Sequence, residues 1–333
     1  MTQASETYFQ GMRILVAGAS GFVGTNLVRR LVELGATVRG IIHHRPVQHL
    51  LKTVEYLKCD LTNYQDCISA TRNVDFVFMA AAKSSGAAII DESPLLHLTP
   101  NVVMNTYMLA AAYENKVRKF CFISSNTVYP ISETAVSEED ANFEFFDKYF
   151  IVGWMKRFSE VMCEMYTEKI KMPMETVVVR PGNLYGPYDK YAWKESKVIA
   201  ALIRRAVERH NPVLVWGNGL DIKDFLYVDD FVEGLLLAFQ HSVGSYPLNI
   251  ASGSSLTIKD VLNVILKATN YSSAPIVYDT SKPTMISKRM IEIRRINNLT
   301  GWMPQTCIEV GIKKTVDWYR HAYGTQTPEQ TLL

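Results

Sequence analysis

Short apolar runs alternate with helix-like patterns through the first half of the chain. The runs Arg13 to Ala17, Thr37 to Ile42, Glu55 to Lys58, Phe76 to Ala80, Lys119 to Ile123 and Glu175 to Arg180 read as strands. Between the first two, Val23, Leu27, Val28, Leu31 and Leu34 recur at helical spacing, and Gly35 follows as a stop signal. Strand, helix, strand in this rhythm predicts βαβ units and hence a doubly wound parallel sheet of the α/β class. After Pro181 the pattern loosens into loops rich in Gly, Pro and Tyr. An isolated strand, Val213 to Trp216, and helices over Asp229 to Gln240 and Thr257 to Thr269 stand out there. The expected organisation is a tail over residues 1–11, a parallel α/β domain over 12–180, and a smaller mixed lobe over 181–333 with some segments returning to the first domain.

Composition narrows the class without naming a function. The 333 residues are 48% hydrophobic and 20% charged, enough for a buried core. A net charge of +2 with Lys and Arg scattered along the chain gives no footprint for nucleic acid or an anionic membrane. The longest apolar runs, such as Gly234 to Phe239 and Met108 to Tyr113, fall far short of the roughly 20 residues that span a bilayer. The start of the chain is polar and carries no secretory pattern, so a cytoplasmic protein is expected. Cys59, Cys67, Cys121, Cys163 and Cys307 form no close pair and no metal-ligand spacing, and the histidines are scattered apart from His43 and His44. Reduced thiols and no metal are the expectation.

The sharpest chemical signal follows the first strand. Gly18-Ala-Ser20-Gly21-Phe22-Val23-Gly24 opens the first amphipathic helix. Glycines at this spacing permit a tight turn and let backbone amides approach a pyrophosphate on the positive helix end, so a dinucleotide is expected. The carboxylate that usually takes the ribose hydroxyls should end the second strand, but that stretch reads Val-Arg-Gly-Ile-Ile-His43-His44-Arg45. His43 and Arg45 there suit a 2′-phosphate, which favours NADP(H) and leaves NAD(H) as the alternative. Asp60, followed by Leu61, either faces the adenine or caps the helix near Asn63.

The order of further motifs resembles the extended short-chain dehydrogenase/reductases, the NAD(P)-dependent epimerase/dehydratase family of nucleotide-sugar enzymes. Within that family the chain is most similar to the GDP-L-fucose synthase branch. The resemblance is carried by Ala80-Ala81-Ala82-Lys83-Ser-Ser-Gly86, Ser124-Ser125-Asn126-Thr-Val-Tyr129-Pro130, Asn183-Leu-Tyr-Gly-Pro-Tyr-Asp189 and Val198-Ile-Ala-Ala-Leu-Ile-Arg204-Arg205. Trp216-Gly-Asn-Gly219, Asp224-Phe-Leu-Tyr-Val-Asp-Asp230 and Ser281-Lys282-Pro283 continue it, and the match runs from about Met12 to Tyr319.

That resemblance implies a Rossmann-type sheet with a smaller substrate lobe, a nucleotide-sugar substrate, a homodimer, and a role for each matched position. Ser125 bonds the sugar oxygen at the carbon that exchanges hydride, a task a hydroxyl suits because it both donates and accepts. Lys156 holds the nicotinamide ribose. Ala80, Ala81, Ala82, Lys83, Arg180 and Gly182 line the cofactor. Ser124, Asn126, Asn183, Lys197, Lys223 and Lys282 face the substrate, with Lys288 and Arg289 as further candidates beside a diphosphate. Helices beginning near Asn101 and Gly153 supply the dimer face through Met104, Met108, Ala111, Ala112, Met155, Phe158 and Met162. The cluster Tyr185, Tyr188, Tyr191 and Trp193 either stacks on ligand or simply packs.

The chain also departs from the pattern. Four residues before Lys156 the family has a catalytic tyrosine, and here stands Val152. Tyr149, seven residues before Lys156, is the candidate substitute acid/base. Asn126 and Lys197 stand where the GDP-L-fucose synthases carry a cysteine and a histidine, and Lys223 stands for an arginine. An asparagine cannot take a proton beside a keto group, and a lysine does so only with a lowered pKa. Two expectations remain open: an NADP(H)-dependent oxidoreductase acting on a nucleotide sugar at C4 as reductase, epimerase or dehydratase, and a relative that binds cofactor and sugar without turnover.

Overall fold

The computed structural model describes residues 7–83, 95–193, 195–282 and 285–324. Ser84 to Gly86 and Pro283, quoted in the motifs above, lie outside the described residues.

The first half builds β1 (Arg13–Ala17), α1 (Phe22–Glu33), β2 (Thr37–Ile42), β3 (Glu55–Lys58), α2 (Tyr64–Thr71), β4 (Phe76–Met79), α3 (Leu95–Glu114), β5 (Lys119–Ile123), α4 (Phe150–Glu168) and β6 (Glu175–Pro181). Beyond it come β7 (Asn183–Tyr185), α5 (Val198–Val207), β8 (Val213–Trp216), β9 (Ile222–Lys223), β10 (Phe225–Tyr227), α6 (Val228–His241) and β11 (Leu248–Ile250). The chain closes with β12 (Leu256–Thr257), α7 (Ile258–Ala268), β13 (Ile276–Asp279), β14 (Lys288–Arg289), α8 (Arg294–Thr300) and α9 (Ile308–Tyr323).

Seven strands form one sheet in the order β11-β6-β5-β4-β1-β2-β3, and every neighbouring pair is parallel. The chain winds outward from β1 through β2 to β3, then returns to start β4 on the other side of β1. Such a reversal opens a crevice at the carboxyl ends of β1 and β4, where open α/β sheets bind ligands. The central strands are buried on both faces, and β5 is buried at every position. Small sheets pairing β10 with β7, β8 with β13, and β9 with β12 and β14 build the second lobe.

Several boundaries differ from the sequence expectation. The supposed tail over residues 1–11 enters the core: Phe9 is fully buried and Tyr8 stacks on Phe76 at 5.7 Å. An aromatic pair this far inside packs on the start of the central strand β4, so the folded chain begins before Met12. The strand expected to reach Ala80 ends at Met79, because the backbone then turns under the glycine loop. Helices α3 and α4 begin at Leu95 and Phe150, earlier than Asn101 and Gly153. Most of the apolar side chains assigned to a dimer face are instead inside: Met108, Ala111, Ala112, Met155 and Met162 are buried, leaving Met104 and Phe158 partly exposed.

Candidate active site

The glycine loop is shaped by close backbone approach. Gly18 has φ +81°, and a Cβ there would lie 2.7 Å from the Ala81 Cα. A Cβ at Gly24 would lie 2.0 Å from the Gly18 carbonyl oxygen. Neither position accepts a side chain without moving backbone, so the loop presses α1 against the strand below and the turn after β4. The first turn of α1 carries no acidic residue and no side-chain cap, so its amide end stays positive. Ser20 and Phe22 are buried beside the turn. This cradle fits a dinucleotide diphosphate: bare backbone and positive polarity converge at the sheet's crevice.

Around the adenosine end the picture is mixed. His43 is exposed and its ring lies 3.6 Å from that of His44, while Arg45 is half-buried. The Asp60 carboxylate accepts hydrogen bonds from the Thr62 amide and hydroxyl, at 2.9 and 2.7 Å, which hold its pKa down. Asn63, not Asp60, caps α2 by accepting from Gln65 and Asp66. The Leu61 side chain is buried in the core, so this residue offers a ligand only backbone. Lys83 is held through its backbone by the Asn101 side chain, which accepts from the Lys83 amide at 2.8 Å and donates to its carbonyl at 3.0 Å.

At the end of β5 the two serines diverge. Ser125 is half-exposed and its Oγ accepts from the Thr127 amide and hydroxyl at 3.2 and 3.0 Å. Ser124 does not face a substrate: its Oγ donates to Glu160 at 2.5 Å and is buried. Arg180, expected at the cofactor, is likewise interior. It forks onto Glu160 at 2.9 and 2.7 Å and donates to the Tyr129 hydroxyl and the Glu138 carbonyl. A buried ion pair needs such full partnering to offset desolvation, which leaves this guanidinium committed to holding β6 against α4. Asn126 donates to the Pro181 carbonyl at 3.0 Å, and Gly182 sits so near Asp224 that a Cβ would meet its Oδ1 at 2.7 Å.

Lys156 rises from α4 to the same strand end. Its Nζ donates to the Ile123 carbonyl at 2.8 Å and lies 4.8 Å over the Phe122 ring. Burial lowers its pKa to about 8, against the opposing pull of Glu160. Val152 occupies the preceding turn of that helix. Tyr149 caps the helix start and lines a cavity of about 360 Å³ under the second lobe. Burial pushes its phenol up to about 12, with Arg289 pulling down and Asp221 pushing up.

That cavity collects Asn183, Lys197 and Lys223 as expected, includes Trp193 of the aromatic cluster, and adds Asp189, Arg205, Trp216 and Asp221, which were not expected as ligand contacts. Lys197 lies 5.9 Å over the ring of Phe22, the first residue of α1, so the cavity adjoins the glycine loop. Lys223 donates to the Ile286 carbonyl and lies 3.7 Å from Asp221, and burial lowers its pKa. Burial raises the pKa of Asp189, opposed first by the charge of Lys197. Arg289 is interior, bonded to the Tyr129 and Pro130 carbonyls. Lys288 pairs with Glu133. Lys282 is exposed and does not line the cavity. Of the tyrosine cluster, Tyr185 and Tyr191 are core residues, whereas Trp193 reaches the cavity wall. The signal for Arg205 and Leu202 was helical periodicity: with Val198 they fall at i, i+4 and i+7, one face of α5.

Among the described residues, no group of three or more His, Cys, Asp or Glu side chains could hold a metal ion, and no helix is long and apolar enough to cross a membrane.

Residues 14–251 match the model of the NAD dependent epimerase/dehydratase family. The chain is 28% identical to GDP-L-fucose synthase 1 of Arabidopsis thaliana over 96% of both chains. It is 27% identical to GDP-mannose 3,5-epimerase 1 of Oryza sativa subsp. indica over 93% of this chain and 82% of that protein. A crystal structure of UDP-glucose 4-epimerase with UDP-glucose from Thermotoga maritima superposes with a TM-score of 0.84 at 23% identity, covering 93% of this chain and 99% of that one.

Proposed function

The chain belongs to the NAD dependent epimerase/dehydratase family, and from that premise we propose that it is an NADP(H)-using oxidoreductase acting on the hexose of a nucleoside diphosphate sugar, with GDP as the carrier and C4 as the reacting carbon. The observation that carries this reading is the meeting of a closed glycine cradle, a lysine with its Nζ at the end of β5, and an adjoining cavity lined with cations.

Gly18, Gly21 and Gly24 would hold the diphosphate, His43 and Arg45 the 2′-phosphate, and Lys156 the nicotinamide ribose. The cofactor, when bound, supplies the hydride donor or acceptor that no side chain can provide. Ser125 orients the reacting sugar oxygen, because its hydroxyl is the half-exposed one at the end of β5. Ser124 and Arg180 support that strand end through Glu160 rather than touching ligand. Lys197, Lys223 and Arg205 offset the charge of the substrate diphosphate.

Tyr149 is the proton donor in this scheme. With its pKa pushed up to about 12, the phenol is protonated at neutral pH and so stands as the acid, though a weaker one than an exposed tyrosine. Asn126 and Val152 bring no titratable group to the places where they stand, which argues against epimerisation at carbons next to the keto group.

The test is incubation of the protein with NADPH or NADH and GDP-, UDP- and dTDP-linked 4-keto sugars while absorbance of the reduced nicotinamide is followed. Stoichiometric loss of NADPH with a GDP-linked keto sugar is the expected result. A second reading, binding without turnover, rests on Val152; tight binding of cofactor and sugar with no absorbance change in any pairing would establish it instead.

A further inference from the structure

Giving a proton to a keto oxygen leaves Tyr149 as a phenolate, and a half-buried anion is costly unless a cation answers it. Lys156 is not that cation. Its Nζ is bound to the Ile123 carbonyl, and the charges that act on the Tyr149 phenol are those of Arg289 and Asp221.

Arg289 lies in β14, opposite Lys223 of β9, and so stands beside the cavity wall that Tyr149, Asp221 and Lys223 share. The head of α4 reaches the same place from the other side. At Gly153 a Cβ would lie 2.7 Å from the carbonyl oxygen of Thr127, in the loop whose Tyr129 and Pro130 carbonyls hold Arg289. The Arg289 side chain is buried, donating to those two carbonyls at 3.0 and 2.9 Å, and its Nε has no hydrogen-bond partner. Both acceptors are neutral. Among the described residues, the titratable groups that act on Arg289 are two phenols, Tyr149 and Tyr129, and no carboxylate. Tyr129 is committed elsewhere, donating to Asn249 and accepting from Arg180. The neighbouring charges are paired as well: Lys223 lies 3.7 Å from Asp221, and Lys288 lies 3.1 Å from Glu133. Asp147 and Lys148, on the same turn as Tyr149, are exposed. What remains is a buried cation without an anion, near a phenol that becomes one on giving up its proton.

We propose that Arg289 is the positioning residue for proton transfer from Tyr149, its unanswered guanidinium stabilising the phenolate that the transfer leaves. The Tyr149 O–H bond breaks as its proton joins the oxygen of a keto group that has taken up hydride, and water restores the proton afterwards. A guanidinium suits the task because it stays charged across the working pH range. Arg289 touches neither sugar nor cofactor in this scheme and acts through the phenol. The role rests on the reading of Tyr149 as proton donor given above.

A fluorinated tyrosine at position 149, intrinsically more acidic, brings the ionisation into a range where the fold holds, and fluorine NMR of the full chain reads it without substrate. Arg289→Gln should raise the pH of that ionisation by about 1–3 units, the span of one opposite charge. Arg289→Lys, which keeps the charge and loses the fork, should restore most of the shift. With the natural tyrosine, Arg289→Gln should lower kcat on a keto sugar by up to about tenfold per unit of that shift, with KM and NADPH affinity unchanged. An ionisation that Arg289→Gln leaves where it was, one that Arg289→Lys raises equally, or a shift with kcat intact would overturn the role of Arg289 and leave the nucleotide-sugar reading standing. Where Arg289→Gln does not fold, Asp221→Asn decides: it should move the ionisation to lower pH, and no movement would overturn the role. Absence of turnover with every keto sugar would overturn the proton-donor reading and this role together.

Discussion

The glycine cradle and the head of α4 sit a few residues from the same crevice but are determined in opposite ways. In the cradle, geometry leaves almost no choice: a Cβ at Gly24 meets backbone at 2.0 Å, and nothing nearby can yield. At the head of α4, one turn of helix separates Val152 from Lys156, and the fold accepts an apolar residue where the family resemblance implies a proton donor. Val152 is only half-buried, so a change of side chain there puts less strain on the fold than one in the cradle. The lesson is that a binding site written in backbone is hard to alter, whereas a proton-transfer site written in one side chain can move.

The comparison can be broken most severely at Tyr149. If the proton donor has moved there, Tyr149→Phe lowers kcat by about 10²- to 10⁴-fold with NADPH binding intact, measured by steady-state kinetics on a keto sugar. A variant with full turnover ends that assignment. Glu160→Gln attacks the support instead. It removes the charge that Arg180 and Ser124 share, and a broken buried pair costs about 3–5 kcal/mol, to be read from denaturant unfolding. The cradle should answer Gly24→Ala with a loss of about 1–3 kcal/mol in stability and weaker NADPH binding, by the cost of overpacking against backbone.

Two smaller effects sharpen the contrast. Lys156 titrates at about 8, so it is charged below that pH and neutral above it. Turnover should therefore fall by up to about tenfold per pH unit above 8 if the charge is what Lys156 contributes. Stability moves the other way. The folded pKa lies below the ordinary lysine value of 10.5, so the unfolded chain keeps the proton longer and the folded state gains as pH rises from about 8 to 10.5. Opposite slopes of activity and stability in that window are the signature to look for in paired pH profiles. Smallest is Arg45→Ala, expected to weaken NADPH about tenfold and NADH little, the scale of one hydrogen bond to a charged group.

Much of this protein was legible along the chain. Strands β1, β2, β3, β5 and β8 fall where apolar runs place them, and Thr257 and Asp260, three residues apart, cap α7. Local rules suffice there, because turn sterics, helix spacing and the glycine loop involve residues within one or two turns of each other. The sequence could also show that Val152 breaks the expected spacing, since that needs only a count from Lys156.

What it could not show is which side of a strand end a residue serves. Ser124 and Ser125 are neighbours, yet one is tied to Glu160, 36 positions away, and the other is half-exposed. Arg180 looked like a ligand contact until its partners 20 and 42 positions distant absorbed it. Phe9 looked like a tail until the sheet closed over it. Tyr149, Trp193 and Arg205 come from the head of α4, the loop before α5 and α5 itself, and share one cavity only because the fold brings those stretches together. The backbone pattern fixed where a dinucleotide could rest; burial and pairing between distant segments, which no local spacing encodes, decided which charges were left to meet a substrate.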